Sequence, residues 1–224
     1  MRTPHFSESD EAALQARLED WIDQCRTRRK PVRSCFLSPS QQEALKPFLP
    51  WDLAYRWDGG CAEAERKKLI LAPEEDACVS DIVCLTARIS DKFVQVKHPD
   101  VLGALMNLDL DRSQFGDFLD DTATTEIYTS EELADYVCMN LTRIHKLSIR
   151  LERSSMMYEP VVKKQALTVI VTALRLDCVI AGLCRMSRAK AQDWIRAQRV
   201  SVNHKILDEC DFLCHNEDTI SVRG

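Results

Sequence analysis

Ten side chains in the last quarter of the chain have the types and spacing of a phosphate-binding surface: Arg175, Ser187, Arg188, Lys190, Gln192, Arg196, Arg199, Asn203, His204 and Lys205. A guanidinium offers a planar fork of donors and an ammonium a compact charge, while hydroxyl, amide and imidazole groups add neutral contacts. Together they suit phosphate and sugar oxygens. Arg188, Gln192, Arg196 and Arg199 recur at spacings of three or four, which sets them as a ridge along one helix face. Arg188 and Lys190 open that helix, where free backbone N–H groups and the positive helix end already favour an anion. Both lie off the apolar Ala191/Ile195 face, so replacing them is expected to leave the fold intact. No paired carboxylates or nucleophile–base set can be nominated, so the expected chemistry is binding, with no catalytic residue, cofactor or metal.

These side chains need a scaffold. Leu176, Ile180 and Leu183 fall at helical spacing and form an apolar stripe, with Arg175, Asp177 and Arg185 on the other faces of a helix ending near Met186. Ser187 stands where its oxygen can cap a second helix from about Arg188 to Ala197. Val200 and Val202 alternate with Ser201 and Asn203 as a half-buried strand. Asn203-His204 turns the chain into Lys205-Ile206-Leu207, and residues 218–222 read as a closing strand.

Two helices followed by a small sheet, carrying Arg175-Leu176-Asp177, Ser187-Arg188 and Val200-Ser201-Val202-Asn203, resemble the S-four RNA-binding domain first defined in a ribosomal protein. Its relatives usually place Gly two residues before the first Val, where the helix ends in left-handed geometry. Here that residue is Gln198, at a cost of about 1 kcal/mol.

The net charge of −5 hides a separation. From Arg143 to Ile206 thirteen Lys and Arg face four acidic residues, a local +9, and the rest of the chain sums to −14. A basic surface on an acidic body fits a nucleic-acid partner. No run of residues reaches the length of a membrane span, and MRTPHFSESDEAAL lacks a signal core, so a cytoplasmic protein with no membrane partner is expected. The ten cysteines form no Cys-x-x-Cys pair and read mostly as buried thiols. Cys210, Cys214 and His215 fall short of the four ligands of a structural zinc site.

The chain reads as α+β in three domains and a linker. Residues 1–73 form an N-terminal α+β domain: a helix from Ser7 to Arg28 capped by Ser7 or Ser9, a short helix from Ser38 to Leu45, and strands at Leu53–Trp57 and Lys68–Ala72 around a Gly59-Gly60 turn. The Arg26, Arg28, Arg29 and Lys30 cluster reads as cations suited to a helix C-terminus. Residues 74–153 follow the order strand, helix, strand, strand, helix, strand, with the second helix running from Ser130 to Ile144, a ferredoxin-like plan shared with RNA-recognition motifs. Phe93, Phe118 and Tyr128 are its strand aromatics, without the base-stacking signature of those motifs. Gly116 and Phe115 give the Asp111–Asp117 segment a local structural role. Residues 154–168 read as a linker, and 169–224 as the S-four domain.

KHPDVLGALMNLDLDRSQFGDFL, EELADYVCMNLTRIHKLSIRLE and RWDGGCAEAERKKLILAP are similar to stretches of the bacterial YlmH family, and the resemblance spans nearly the whole chain. It implies an RNA-binding protein that associates with the large ribosomal subunit, contacting rRNA and peptidyl-tRNA on stalled subunits; a monomer is expected. A pseudouridine synthase is the rival reading, from Arg175-Leu176-Asp177 and Gly182-Leu183. Ile180 and Ala181 replace the hydroxyl residues of that motif, and too little chain follows for its catalytic sheet. A scaffold linked to cell division is a third.

Overall fold

The apolar spacing near the N-terminus produces helix α1, Glu8–Arg28, whose Leu14, Leu18, Ile22 and Cys25 are buried along one stripe. The computed structural model describes residues 8–88, 96–120, 124–154 and 165–223, so Ser7, one of the two expected caps, lies outside the described residues. Arg26, in the last turn of α1, holds Asp52 through Nε at 3.0 Å and Nη2 at 2.7 Å.

After strand β1 (Val32–Arg33) comes helix α2 (Pro39–Leu45), begun by a reciprocal cap in which Gln41 N donates to Ser38 Oγ and Ser38 N donates to Gln41 Oε1. Strands β2 (Ala54–Asp58) and β3 (Lys68–Ala72) complete an antiparallel sheet in the order β1-β3-β2. As the central strand, β3 is buried throughout, and its Leu69 and Leu71 close one core with the stripe of α1.

Next come β4 (Ile82–Arg88), α3 (His98–Met106), β5 (Phe115–Asp120), β6 (Thr124–Ser130), α4 (Glu131–Asn140), β7 (Arg143–Ile144), β8 (Leu147–Ser148) and β9 (Leu151–Ser154). Four of these strands form an antiparallel sheet in the order β5-β6-β4-β9. Leu85, Ala87, Ile127 and Leu151 of the sheet share a core with Val101 and Leu105 of α3 and Ala134 and Val137 of α4.

The second helix of this segment ends four residues before the expected Ile144. Leu141 leaves helical geometry at φ −82° and ψ 80°, and the chain turns into the β7–β8 hairpin. The physical reason lies in Thr142 and Ile144: both are β-branched and alternate with Arg143, a period-two pattern that a strand accommodates better than a helix. Ile144 is fully buried all the same, through the hairpin rather than through a helical stripe.

The other face of the four-stranded sheet is covered by earlier residues of the chain. Tyr128 is fully buried and donates to Glu126 Oε2 at 2.9 Å. A Cβ on Gly60, which sits at φ +85°, would lie 2.7 Å from both Ile82 Cγ2 and Tyr128 Cδ1. One on Gly116 would lie 2.9 Å from Phe36 Cε1 and 3.0 Å from Tyr128 Cβ. Phe118 is buried in the helical core, and Phe93 lies outside the described residues.

The Asp111–Asp117 segment fastens this junction. Arg112 Nη1 donates to the carbonyls of Phe115 and Gly116 at 2.7 Å each, with its guanidinium 4.5 Å from the Phe118 ring centroid. Burial, then the nearby Arg66, pushes the Arg112 guanidinium down to about 10. Asp117 accepts from Glu65 N at 2.6 Å, and Arg66 Nη2 donates to Phe36 O at 2.8 Å.

The chain divides into two compact units, Met1–Val161 and Val162–Gly224. Most of the expected linker, residues 155–164, lies outside the described residues. The second unit contains α5 (Leu176–Leu183), α6 (Arg188–Arg196), β10 (Val200–Val202), β11 (Lys205–Ile206) and β12 (Ile220–Val222). Its strands form an antiparallel sheet in the order β11-β10-β12. Leu176, Ile180, Ala191, Ile195, Val200, Val202 and Cys214 make its core.

Two expectations for α5 are corrected. Leu183 is 39% exposed, because Ala191, Ile195 and the strand valines fill the core beyond Ile180. Asp177, expected on a polar face, has no exposed surface. All ten cysteines are free, with five buried, four half-buried and Cys184 exposed, so the expectation of mostly buried thiols holds for half of them. Cys210 Sγ contacts Gln192 O at 3.9 Å, and among the described residues no group of three or more His, Cys, Asp or Glu is placed to hold a metal. No described helix is long and apolar enough to cross a membrane.

Candidate nucleic-acid interface

Asp177 organises the N-terminal ends of α5 and α6. Its Oδ2 accepts from Gln192 Nε2 at 2.8 Å and Arg188 Nε at 2.9 Å, and Arg175 donates Nε to Oδ1 at 3.3 Å and Nη2 to Oδ2 at 3.4 Å. Burial raises the affinity of this carboxyl for a proton, but the hydrogen bonds from Gln192, Arg175 and Arg188 together outweigh it and hold the group well below the usual carboxylate range. Arg175, Arg188 and Gln192 are thus gathered at one point, although the sequence distributed them over two helices and one exposed ridge.

This bond changes the reading of Arg188. Its side chain is 53% exposed, so the donors not engaged by Asp177 remain open to solvent on an oriented guanidinium. Its substitution is nevertheless not neutral for the fold, since Arg188→Glu would face the buried Asp177 with a second carboxylate. Ser187 caps α6 as expected, accepting from Lys190 N at 3.3 Å, so its hydroxyl is already committed to the helix end.

Farther along α6, Trp194 was absent from the sequence-derived surface. Arg199 lies 5.0 Å and Lys190 5.8 Å from its ring centroid, within the range of cation–π attraction. The signal was the Lys190-x-x-x-Trp194 spacing, which puts an aromatic ring one helical turn after a cation. Arg196 is exposed and has no ion-pair partner among the described residues.

Helix α6 ends with Gln198 in the left-handed region at φ 57°, the geometry expected where relatives carry Gly. Arg199 N donates to Trp194 O at 3.0 Å and Gln198 N to Ile195 O at 2.9 Å, a Schellman end that positions Arg199 just past the helix. The turn joining β10 to β11 has Asn203 at φ 49° and His204 at φ 66°. Asn203 is occupied structurally, donating to Asp218 Oδ1 at 2.8 Å and accepting from Thr219 N at 3.0 Å. His204 and Lys205 are exposed at the tip.

The positive charge is spread more widely than a single basic module. Residues 165–223 hold eight Lys and Arg against seven Asp and Glu, because Asp208, Glu209, Asp211, Glu217 and Asp218 follow the basic helix. Arg143, Lys146, Arg150 and Arg153 of the local +9 belong to the first unit.

Comparison with known proteins places this architecture. Over 226 residues the chain is 31% identical to the ribosome-associated protein quality control protein P2 of Bacillus subtilis strain 168, covering 98% of this chain and 88% of that protein. The chain belongs to the YlmH family. Residues 78–158 match the family model described as "Putative RNA-binding domain in YlmH". The solved structure of the cell division protein ylmH from Streptococcus pneumoniae superposes with a TM-score of 0.54 at 24% identity, covering 69% of this chain and 96% of that one. That likeness establishes a shared mixed α+β fold with the YlmH structure.

Proposed function

We propose that this YlmH-family protein binds RNA on the ribosome without turning it over, using residues 169–224 as an S-four module. The observation that carries the reading is the set of cations fixed at the start of α5 and along α6 and its end: Arg175 and Arg188 oriented by buried Asp177, and Lys190 and Arg199 against Trp194. Side chains held in this way lose less rotamer freedom on meeting a phosphate than free surface lysines do. Arg196, His204 and Lys205 extend the contact. The name of the B. subtilis relative and the description of the family model support RNA binding and ribosome association in general, the matched residues 78–158 lying in the first unit.

The finer reading is a monomeric cytoplasmic factor that engages rRNA and peptidyl-tRNA on the large subunit during rescue of stalled translation. The β5-β6-β4-β9 order supports a ferredoxin-like plan for residues 74–153 within it.

Sedimentation with purified large subunits tests the proposal. Lys190→Glu with Arg196→Glu spares Asp177 and both apolar faces, so it should keep native circular dichroism and lose co-sedimentation. Native folding with undiminished co-sedimentation would remove α6 from the interface. Incubated rRNA and tRNA should show no cleavage and no modified base by mass spectrometry; a new pseudouridine would overturn the binding-only reading.

A further inference from the structure

The β7–β8 hairpin is an element the sequence concealed. Ile144 pairs with Leu147 and Arg143 with Ser148 across a two-residue turn of His145 and Lys146. Ile144 is fully buried, and Leu147 and Ile149 pack on the same core, so one side of the hairpin is anchored to the body of the first unit. Ile149 N donates to Thr142 O at 2.9 Å and extends the pairing.

Side chains alternate along a strand. With Ile144 and Leu147 turned inward, Arg143, Ser148 and Arg150 fall on the outward side, and His145 and Lys146 form the tip. Arg143, His145, Lys146 and Arg150 are all exposed, and Arg143 and Lys146 have no ion-pair partner among the described residues. Arg150 meets Glu152 at 3.5 Å with side chains 89% and 71% exposed, a pair that water screens heavily. Of the three acidic side chains of α4, Glu131 and Asp135 are already engaged by Arg153, which leaves Glu132 alone against the three hairpin cations.

The face of the four-stranded sheet that stacks bases in RNA-recognition motifs is closed at its centre by the packing of Phe36 and Gly60 on Tyr128. RNA contact by this segment therefore needs another surface. We infer that the β7–β8 hairpin is a second RNA-binding element, gripping backbone phosphates through Arg143, Lys146 and Arg150. The inference rests on the RNA-binding reading above, but it uses residues of the other unit and a different geometry: a basic hairpin anchored on its inner side rather than a helix face.

The test uses the full-length protein with a fluorescein-labelled RNA stem-loop and, in parallel, large ribosomal subunits. Neutralising three phosphate contacts in Arg143→Ala/Lys146→Ala/Arg150→Ala should weaken RNA binding about 10- to 100-fold at physiological salt. The slope of log K against log salt should become shallower by about 2 to 3. Arg143→Lys/Arg150→Lys keeps the charges and should bind within about threefold of the wild type, which separates charge from folding. An unchanged slope in the triple alanine variant, with Lys190→Glu/Arg196→Glu still defective, would sink the hairpin site and leave the α6 interface standing. Loss of ribosome binding with full affinity for the stem-loop would also overturn it, showing that the hairpin meets a protein. Wild-type protein that binds neither probe would remove both readings.

Discussion

Replacing Asp177 by Asn keeps the shape of the side chain and removes its charge at the point where α5 and α6 meet. The lost interactions are hydrogen bonds from Gln192, Arg188 and Arg175 at 2.8, 2.9 and 3.3 Å to a group with no exposed surface. Hydrogen bonds to a charged group contribute about 1.5 to 3 kcal/mol each. The Arg188 and Arg175 side chains are 53% and 36% exposed, so water recovers much of their share and the sum must be discounted. An Asn amide would also present a donor to at least one of these donors. The expected net destabilisation of the second unit is about 2 to 3 kcal/mol. Amide hydrogen exchange across residues 176–196 should therefore accelerate roughly 30- to 150-fold. The pH dependence gives an independent check. A carboxyl whose folded-state affinity for protons is depressed contributes stability that is fully present above its unfolded pKa, near 4, and is lost as pH falls below it. The gap between wild type and variant should thus narrow below about pH 4. A gap that stays constant with pH, or exchange within threefold of wild type, would refute the assignment of Asp177 as a charged organiser.

Two further outcomes follow from backbone geometry. Gln198→Gly places the residue best suited to φ 57° at the end of α6 and should stabilise the second unit by about 1 kcal/mol, read as slower exchange of the α6 amides; a destabilised variant would mean that the Gln198 side chain contributes more than its backbone strain costs. Gly60→Ala forces a methyl to within 2.7 Å of Tyr128 and Ile82 at a positive φ and should cost about 2 to 4 kcal/mol, measured as a lower urea midpoint for the first unit.

What the sequence revealed depended on whether the signal was local. The Ser187 cap, the span of α6 and the extent of β3 were all legible, because each follows from neighbours a few residues away, whereas the left-handed Gln198 was implied by the resemblance to S-four domains. The burial of Asp177 was not. An Asp one residue after Leu176 on an amphipathic pattern reads as surface, and only the approach of Gln192 and Arg188 from the next helix makes burial tolerable. Trp194 sits between the apolar stripe and the charged ridge and belongs to neither pattern. The start of the β7–β8 hairpin reads as a continuation of α4 because Leu141 and Ile144 continue the helical spacing of Leu133 and Val137, and a tight turn at His145 has none of the usual Gly or Asn marks. The candidate site residues therefore divide into those with structural partners, such as Asn203 and Ser187, and those exposed on fixed supports, such as Arg196 and His204.

The packing around Tyr128 bears on how the first unit can be dissected. Gly60 and Phe36 reach the sheet from one side of residue 73, while Tyr128, Ile82 and Gly116 belong to the other. Lys68, with a side chain only 7% exposed, meets Asp81 at 2.6 Å across the same divide. A fragment beginning at residue 74 would open Tyr128 to water, strip Asp81 of its ammonium partner and leave Asp117 without the Glu65 backbone N–H it accepts from. Such a fragment would present an adhesive surface that the intact chain never shows, and RNA retained by it would report on that new surface. Binding measured on residues 78–158 in isolation would thus need the first seventy residues restored, in cis or in trans, before it could be ascribed to the hairpin.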